Sequence, residues 1–424
     1  MKPLFALVDC NNFYVSCERL FRPDLGKKPV VVLSNNDGCI ISRSDEAKAL
    51  GIKMGAPLFL VHDLLKKEGV HIFSSNYELY GDLSFRVTET LRQFTPQIEI
   101  YSIDESFLDL TKYFFLNLKI YAENLRNTVR KNTGIPVSVG ISYTKTLAKI
   151  ANRLAKKSEK AGGVLVLTDE RHIDAALKRT AIEDVWGVGR QYAKFFRASG
   201  IYTAHDLKNA QDAWIQKHGT VVMRRTVQEL RGISCLDIEL MQPDKKGICT
   251  SRSFGKSVTN LGALQEAIAI YASSCAKKLR KQKSCAKVLK VFVKTNKYAD
   301  TLQYFNSKEI ILPTASNSDL ELVKYATKAL NEIYKEGYLY KKAGVIVTEL
   351  MPESNVQLNL LDTTDHLKHN NLMAAIDEIT RKLGKNAVTI AQQGTKESKD
   401  WHPIKEYVSP CYTTRLKDIL TIHI

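Results

Sequence analysis

Residues 4–9 make a nearly unbroken apolar run that ends on a carboxylate, Asp9. Such a run predicts a strand buried on both faces, and sites gather at the ends of such strands. Apolar and small residues flank an acidic pair within residues 98–110, which predicts strand, acidic turn and strand, and residues 136–142 predict a further strand. Over residues 145–157 the period becomes helical, with Leu147, Ile150, Ala151 and Leu154 on one face. Lys145, Lys149, Asn152 and Lys156 fall at i, i+4, i+7 and i+11 on the other, and a charged helix face is most often simply solvated. Residues 162–167 close the sheet, so strands and helices interleave as in a split βαβ layer.

Further along, residues 21–72 are compact and rich in small residues, and the texture is helical from about 168 to 232. Residues 242–247, with Pro243 and Gly247, read as a linker. Residues 250–350 alternate strand patterns with two helical ones, roughly 261–283 and 316–337. The last 70 residues hold one short amphipathic helix (Leu372, Ile376, Ile379, Leu383) amid polar, loop-like sequence.

Composition narrows the class. A chain of 424 residues implies about three domains. No apolar run approaches the roughly 20 residues of a spanning helix, and the N-terminus lacks a secretory pattern, so a cytoplasmic location is expected. The eight cysteines form no CxxC pair, which points to reduced thiols rather than a zinc or disulfide framework. The balance of 62 Lys and Arg against 45 Asp and Glu, a net charge of +17, calls for a polyanionic partner. Residues 243–349 carry 19 of those cations against 9 acidic residues, so much of the excess sits in one domain.

Nucleotidyl transfer needs two divalent ions and few protein groups, because a small set of carboxylates plus substrate oxygens holds magnesium. Asp9 at a strand end and Asp104-Glu105 between two strands meet that need. Alone, an acidic pair between strands is more often a solvated turn. Neighbours in a continuous strand point to opposite faces, so Asp104 and Glu105 share one site only at a hairpin apex.

The run Asp9-Cys-Asn-Asn-Phe-Tyr14-Val-Ser-Cys-Glu18 resembles the opening motif of Y-family translesion DNA polymerases. Tyr101-Ser-Ile-Asp-Glu-Ser-Phe-Leu-Asp109 resembles their second acidic motif. In order follow Pro136-Val-Ser-Val-Gly-Ile-Ser142, Lys145-Thr-Leu-Ala-Lys-Ile-Ala-Asn152, Val185-Trp-Gly-Val-Gly189, Thr250-Ser-Arg-Ser-Phe-Gly255 and Gln357-Leu-Asn-Leu-Leu-Asp362. Ser34-Asn-Asn-Asp-Gly-Cys39 and Tyr412-Thr-Thr-Arg415 are similar to the UmuC type within the family.

The resemblance implies an α+β right hand. Its ferredoxin-like palm would be residues 1–20 and 73–167, its fingers 21–72, and its thumb, with a helix-hairpin-helix, 168–232. A linker at 233–249, an α/β little finger at 250–350 and a clamp- and partner-binding region at 351–424 complete it. It implies Asp9, Asp104, Glu105 and the Cys10 carbonyl as ligands of two Mg2+ ions, and Tyr14 as a steric gate that rejects the ribose 2′-hydroxyl by collision. Phe13, Ser42, Lys48 and Lys156 would meet the incoming dNTP, although Asp45 stands where some relatives place a phosphate-binding Tyr.

Gly187 and Gly189 would let backbone N–H groups approach a DNA phosphate, and Arg252, Lys256, Lys290 and Lys294 would track the duplex. Gln357, Leu358, Leu360 and Leu361 would enter a sliding clamp. A UmuD′ homodimer and a RecA filament are the further implied partners, with primer-template DNA as substrate and no membrane. The implied function is error-prone translesion synthesis in the SOS response. The alternatives are a DinB-like polymerase acting alone and a non-catalytic DNA-binding scaffold that recruits the clamp.

Overall fold

The computed structural model describes residues 2–358, 365–384, 387–394 and 401–421. Strand β1 (Phe5–Cys10) leads into α1 (Phe13–Phe21) through Asn12, held in a left-handed conformation at φ 46°. Next come β2 (Val30–Leu33), β3 (Ile40–Arg43), α2 (Asp45–Ala49), α3 (Leu58–Lys67), β4 (His71–Ser74) and α4 (Tyr77–Leu91). β5 (Ile98–Ile100), β6 (Glu105–Asp109), α5 (Leu118–Thr133), β7 (Val137–Ser142), α6 (Lys145–Lys157) and β8 (Val164–Leu167) follow. Five helices succeed them: α7 (Glu170–Lys178), α8 (Arg190–Ala198), α9 (Ala204–Lys208), α10 (Asp212–His218) and α11 (Val221–Leu230).

Two units divide the chain: Met1–Gln242 with Glu406–Ile424, and Pro243–Lys405. In the first, five strands run in the order β5-β6-β1-β7-β8. β1 is central and covered on both faces, as its unbroken apolar run requires. Ala6 and Val8 join the core under α4 and α5, while Phe5 and Leu7 pack with Phe107 and Ala148 of α6. A separate sheet, β3-β2-β4, carries its own small core around Val31, Leu33, Ile40 and Leu65. The helices after β8 bury Ile182, Phe196, Leu207 and Leu230 together with Leu147 and Ile150 of α6.

Helix α6 is therefore clamped from two sides, and its lysine face is not simply a solvated one. Lys145 and Asn152 are buried, because that face lies against the sheet. Gly140 of β7 makes the approach possible: a Cβ there would meet the Asn152 backbone nitrogen at 2.1 Å and the Ala148 carbonyl at 2.4 Å. The Asn152 amide then donates to the carbonyls of Leu7 at 3.2 Å and Ser138 at 2.7 Å, tying α6 across β1 and β7. Lys145 pairs with Glu99 and donates to the Asp237 carbonyl at 2.6 Å, so part of the segment expected as linker is bonded to the palm.

In the second unit, β9 (Ile248–Val258), β10 (Ser284–Thr295), β11 (Phe305–Ser316) and β12 (Tyr340–Pro352) pair in the order β11-β10-β12-β9. Helices α12 (Leu261–Lys281) and α13 (Asp319–Ile333) share a core with the sheet through Ala272, Leu279, Val323, Leu289, Val291 and Val345. The C-terminal helix, α14 (His366–Leu383), is 18 residues long rather than short, because the Asp365 carboxylate caps the Lys368 N–H at 2.9 Å well before the apolar stripe begins. Arg280 bonds Asp377 of α14 at 2.7 and 2.9 Å and Asp319 of α13 at 2.5 Å, joining all three helices. Residues 351–424 do not pack as one piece, since the segment from Glu406 returns to the first unit. Gln357 and Leu358 are exposed; Leu360 and Leu361 lie outside the described residues.

Candidate active site

The antiparallel pairing of β1 with β6 sets Asp9 directly opposite Glu105. Residues 101–104 form the turn between β5 and β6, and the Cys10 N–H donates to the Asp104 carbonyl at 2.8 Å. The acidic pair thus straddles the end of a hairpin, with Asp104 in the turn and Glu105 the first residue of the strand. This is how two sequence neighbours reach one strand end. Ser102 shapes the turn: its hydroxyl accepts the N–H groups of Asp104 at 3.2 Å and Glu105 at 3.0 Å and bonds the Asp104 carboxylate at 2.6 Å.

Each carboxylate is already engaged. Lys156 pairs with Asp9, and Lys149 reaches both Glu105 oxygens at 2.9 Å. Among the described residues no three acidic, His or Cys side chains form a ready-made metal cage. The donor set nevertheless suits a hard divalent cation: three carboxylates at one strand end, each held by a group that an ion can replace. Burial pushes the Asp9 carboxyl up to about 6; Lys156 pulls it down, while Glu105 and Asp104 push it further up. Like charges crowded into a partly desolvated place favour a bound cation over bare ionisation.

Tyr14 sits in the first turn of α1, its ring stacked on Tyr80 at 4.5 Å and 18° and edge-on to Tyr77 at 6.1 Å. Phe13 is buried in the core, 5.8 Å from the Tyr14 ring. Lys48 lies at the opening of α1, with its ammonium 2.6 Å from the Asn12 amide oxygen and 2.8 Å from Asp45. The out-of-pattern carboxylate at 45 is therefore neutralised locally by Lys48. Ser42 is in β3, opposite Val32, and almost fully buried.

Gly187 and Gly189 are exposed just before α8; Gly187 takes φ 88°, a backbone that excludes most side chains. In the second unit, β10 buries Leu289, Val291 and Val293 and turns Lys290, Phe292 and Lys294 outward, while Lys256 is exposed in β9. Arg252 is also exposed, but on the other face. It is in register with Ala343, which pairs with Val293, so it belongs to the helix-covered face at the edge strand rather than to the lysine face.

Sequence reasoning passed over several residues of the site. Lys149 lies 4.5 Å from the Tyr101 ring centre and 5.2 Å from that of Trp186, and the Trp186 indole donates to the Tyr101 hydroxyl at 3.2 Å. Its place four residues after Lys145 and seven before Lys156 was the available signal. Glu18 closes the opening motif, but its contact with Tyr80 had no signal, because it spans 62 positions of sequence.

The model of the impB/mucB/samB family matches residues 8–153, and that of the same family's C-terminal domain matches residues 245–360. A domain of unknown function matches residues 370–422. The chain is 44% identical to Protein UmuC of Salmonella typhimurium (strain LT2), covering 99% of this chain and 100% of that one. It is 41% identical to Protein ImpB of Salmonella typhimurium, over 98% and 99%, and 25% identical to DNA polymerase IV of Brucella melitensis, over 90% and 84%. Among solved structures, a Y-family DNA polymerase chimera of Dbh and Dpo4 superposes with a TM-score of 0.66 at 19% identity, covering 82% of this chain and 99% of that one. The fold is that of a Y-family DNA polymerase. Within that class, the chain belongs to the impB/mucB/samB family and is of the UmuC type.

Proposed function

We propose that the chain is a template-directed, error-prone DNA polymerase that extends primers across damaged bases in the SOS response, with Asp9, Asp104 and Glu105, and the Cys10 carbonyl beside them, holding two Mg2+ ions. The observation that carries this is the in-register pairing of Asp9 with Glu105 beside the Asp104 turn. Bound there, the ions would neutralise charge on the attacking and leaving oxygens.

The chain's own residues supply the rest. Tyr14, backed by Tyr80, presents a flat ring that excludes a 2′-hydroxyl by collision. Lys156, released from Asp9, carries a positive charge to the triphosphate, and Lys48, released from Asp45, adds a second at the start of α1. The exposed Gly187 and Gly189 backbone and the Lys290 and Lys294 face grip phosphates without reading sequence. Palm, fingers, thumb and little finger are proposed at the boundaries expected from the sequence, and the sliding clamp, a UmuD′ homodimer and a RecA filament are the proposed partners. The test is extension across an abasic site, with and without clamp, UmuD′ and RecA. Asp104→Ala is expected to abolish extension in every mixture; normal extension by that variant would sink the site assignment.

A further inference from the structure

The segment that returns to the first unit is held along its length. The Glu406 N–H donates to the Asp37 carboxylate at 2.8 Å. Tyr407 donates its N–H to the Ser74 hydroxyl at 3.0 Å, and its carbonyl accepts the Ser74 N–H at 2.9 Å. The Asn76 amide donates to the Ser409 carbonyl at 3.0 Å, the Ser409 hydroxyl at 3.1 Å and the Pro410 carbonyl at 3.2 Å. Tyr412 stacks on Phe21 at 4.5 Å, and Arg415 bonds Glu78 at 2.8 Å.

At the centre of this run the Ser409 hydroxyl donates to Glu18 Oε1 at 3.0 Å, and the same oxygen accepts the Tyr80 hydroxyl at 2.6 Å. All three residues are buried. Tyr80 is the ring on which Tyr14 stacks. Tyr14, Glu18 and Phe21 fall at i, i+4 and i+7 of α1 and so form one stripe. The returning segment covers the rear of that stripe, and Tyr14 is its front.

We propose that residues 406–415 are a strap that positions the sugar gate from behind: Ser409 fixes Glu18, Glu18 fixes Tyr80, and Tyr80 fixes the plane of Tyr14. The proposal rests on reading Tyr14 as that gate. A gate that works by collision is only as selective as its ring is immobile, and a buried polar bond to the supporting ring is what resists its displacement. The strap lies within the residues that match a domain of unknown function, and this gives that domain a part in nucleotide selection.

The experiment compares kcat/KM for a ribonucleotide and its matching deoxyribonucleotide, using the full chain in the assembly that supports extension. The ratio of the two cancels the folded fraction of any variant. Tyr14→Ala is expected to lose roughly a hundredfold in discrimination. Ser409→Ala and Tyr80→Phe are each expected to lose roughly three- to tenfold, as for one buried hydrogen bond. Ser409→Thr, which keeps the hydroxyl, is expected to restore the parent ratio. If Tyr14→Ala loses discrimination while Ser409→Ala and Tyr80→Phe keep the parent ratio, the strap has no such role and the gate stands. A parent ratio in Tyr14→Ala removes both the gate and the strap's role.

Discussion

The Lys149 ammonium stands 2.9 Å from both carboxylate oxygens of Glu105 and 4.5 Å from the centre of the Tyr101 ring. The lysine thus does for Glu105 what an ion would do, and the two compete for one carboxylate. Lys149→Met leaves Glu105 facing Asp9 without that counter-charge. The metal-free variant is expected to lose about 2 kcal/mol, the order of a hydrogen bond to a charged group. Magnesium is then expected to raise its Tm more than it raises the parent's. Equal magnesium-induced shifts in thermal unfolding would show that lysine and ion do not share the site.

Gly140 is where the α6 lysines acquire their distance from the carboxylates. A methyl group there meets backbone atoms of the helix, the Asn152 nitrogen at 2.1 Å and the Ala148 carbonyl at 2.4 Å, and backbone cannot rotate aside. Gly140→Ala is expected to push α6 off the sheet, breaking the Asn152 bonds to Leu7 and Ser138. The cost is roughly 1–3 kcal/mol or more. Primer extension is expected to fall with it, as Lys149 and Lys156 move. Urea midpoints and extension rates check both, and a parent-like midpoint would contradict the close approach.

The palm was legible because its signals are local. An apolar run ending in Asp9, an acidic turn between two strands and a 3.6-residue period each depend on neighbours in sequence. What stayed hidden depends on distant partners. Period analysis marks one apolar stripe on α6 but cannot tell that the opposite, polar face is also covered, so the burial of Lys145 and Asn152 was out of its reach. Arg252 looked like one more cation beside Lys290 and Lys294, and only strand register separates their faces. Residues 406–415 carry no periodicity at all. They hold their place by polar bonds to residues more than 300 positions earlier, such as Asn76 and Glu18.

Glu18 also makes stability depend on pH. Burial pushes its carboxyl up to about 7, against 4.5 unperturbed, and the hydrogen bonds from Tyr80 and Ser409 offset only part of that. Its second oxygen has no hydrogen-bond partner among the described residues, as suits a protonated acid. Between those two values the folded chain keeps a proton that the unfolded chain has released. The contribution is therefore fully present below 4.5 and is lost as pH rises through about 7. One such proton gives a slope of about 1.4 kcal/mol per pH unit within that window. Asp9, also pushed up by burial, adds in the same direction. Glu18→Gln is expected to flatten the fall measured by urea unfolding across this window, leaving the share due to Asp9. An unchanged slope would mean that Glu18 stays ionised in the folded chain.

Duplex binding separates the two faces of the second unit's sheet. Lys294 is exposed on β10, and Lys290 on the same face is partly covered and stands in register with Glu309. A phosphate-contacting lysine releases about one counterion when it binds, so its loss lowers the slope of log affinity against log salt by about 1. Lys294→Ala is expected to show that full change. Lys290→Ala is expected to show less, because the acidic Glu309 stands opposite it in the ladder. Arg252→Ala is expected to leave the slope at the parent value, because its register with Ala343 assigns it to the helix-covered face. Fluorescence anisotropy of a labelled primer-template at several salt concentrations measures all three. An equal loss in every variant would mean that the unit binds through its net charge alone, with no preferred face.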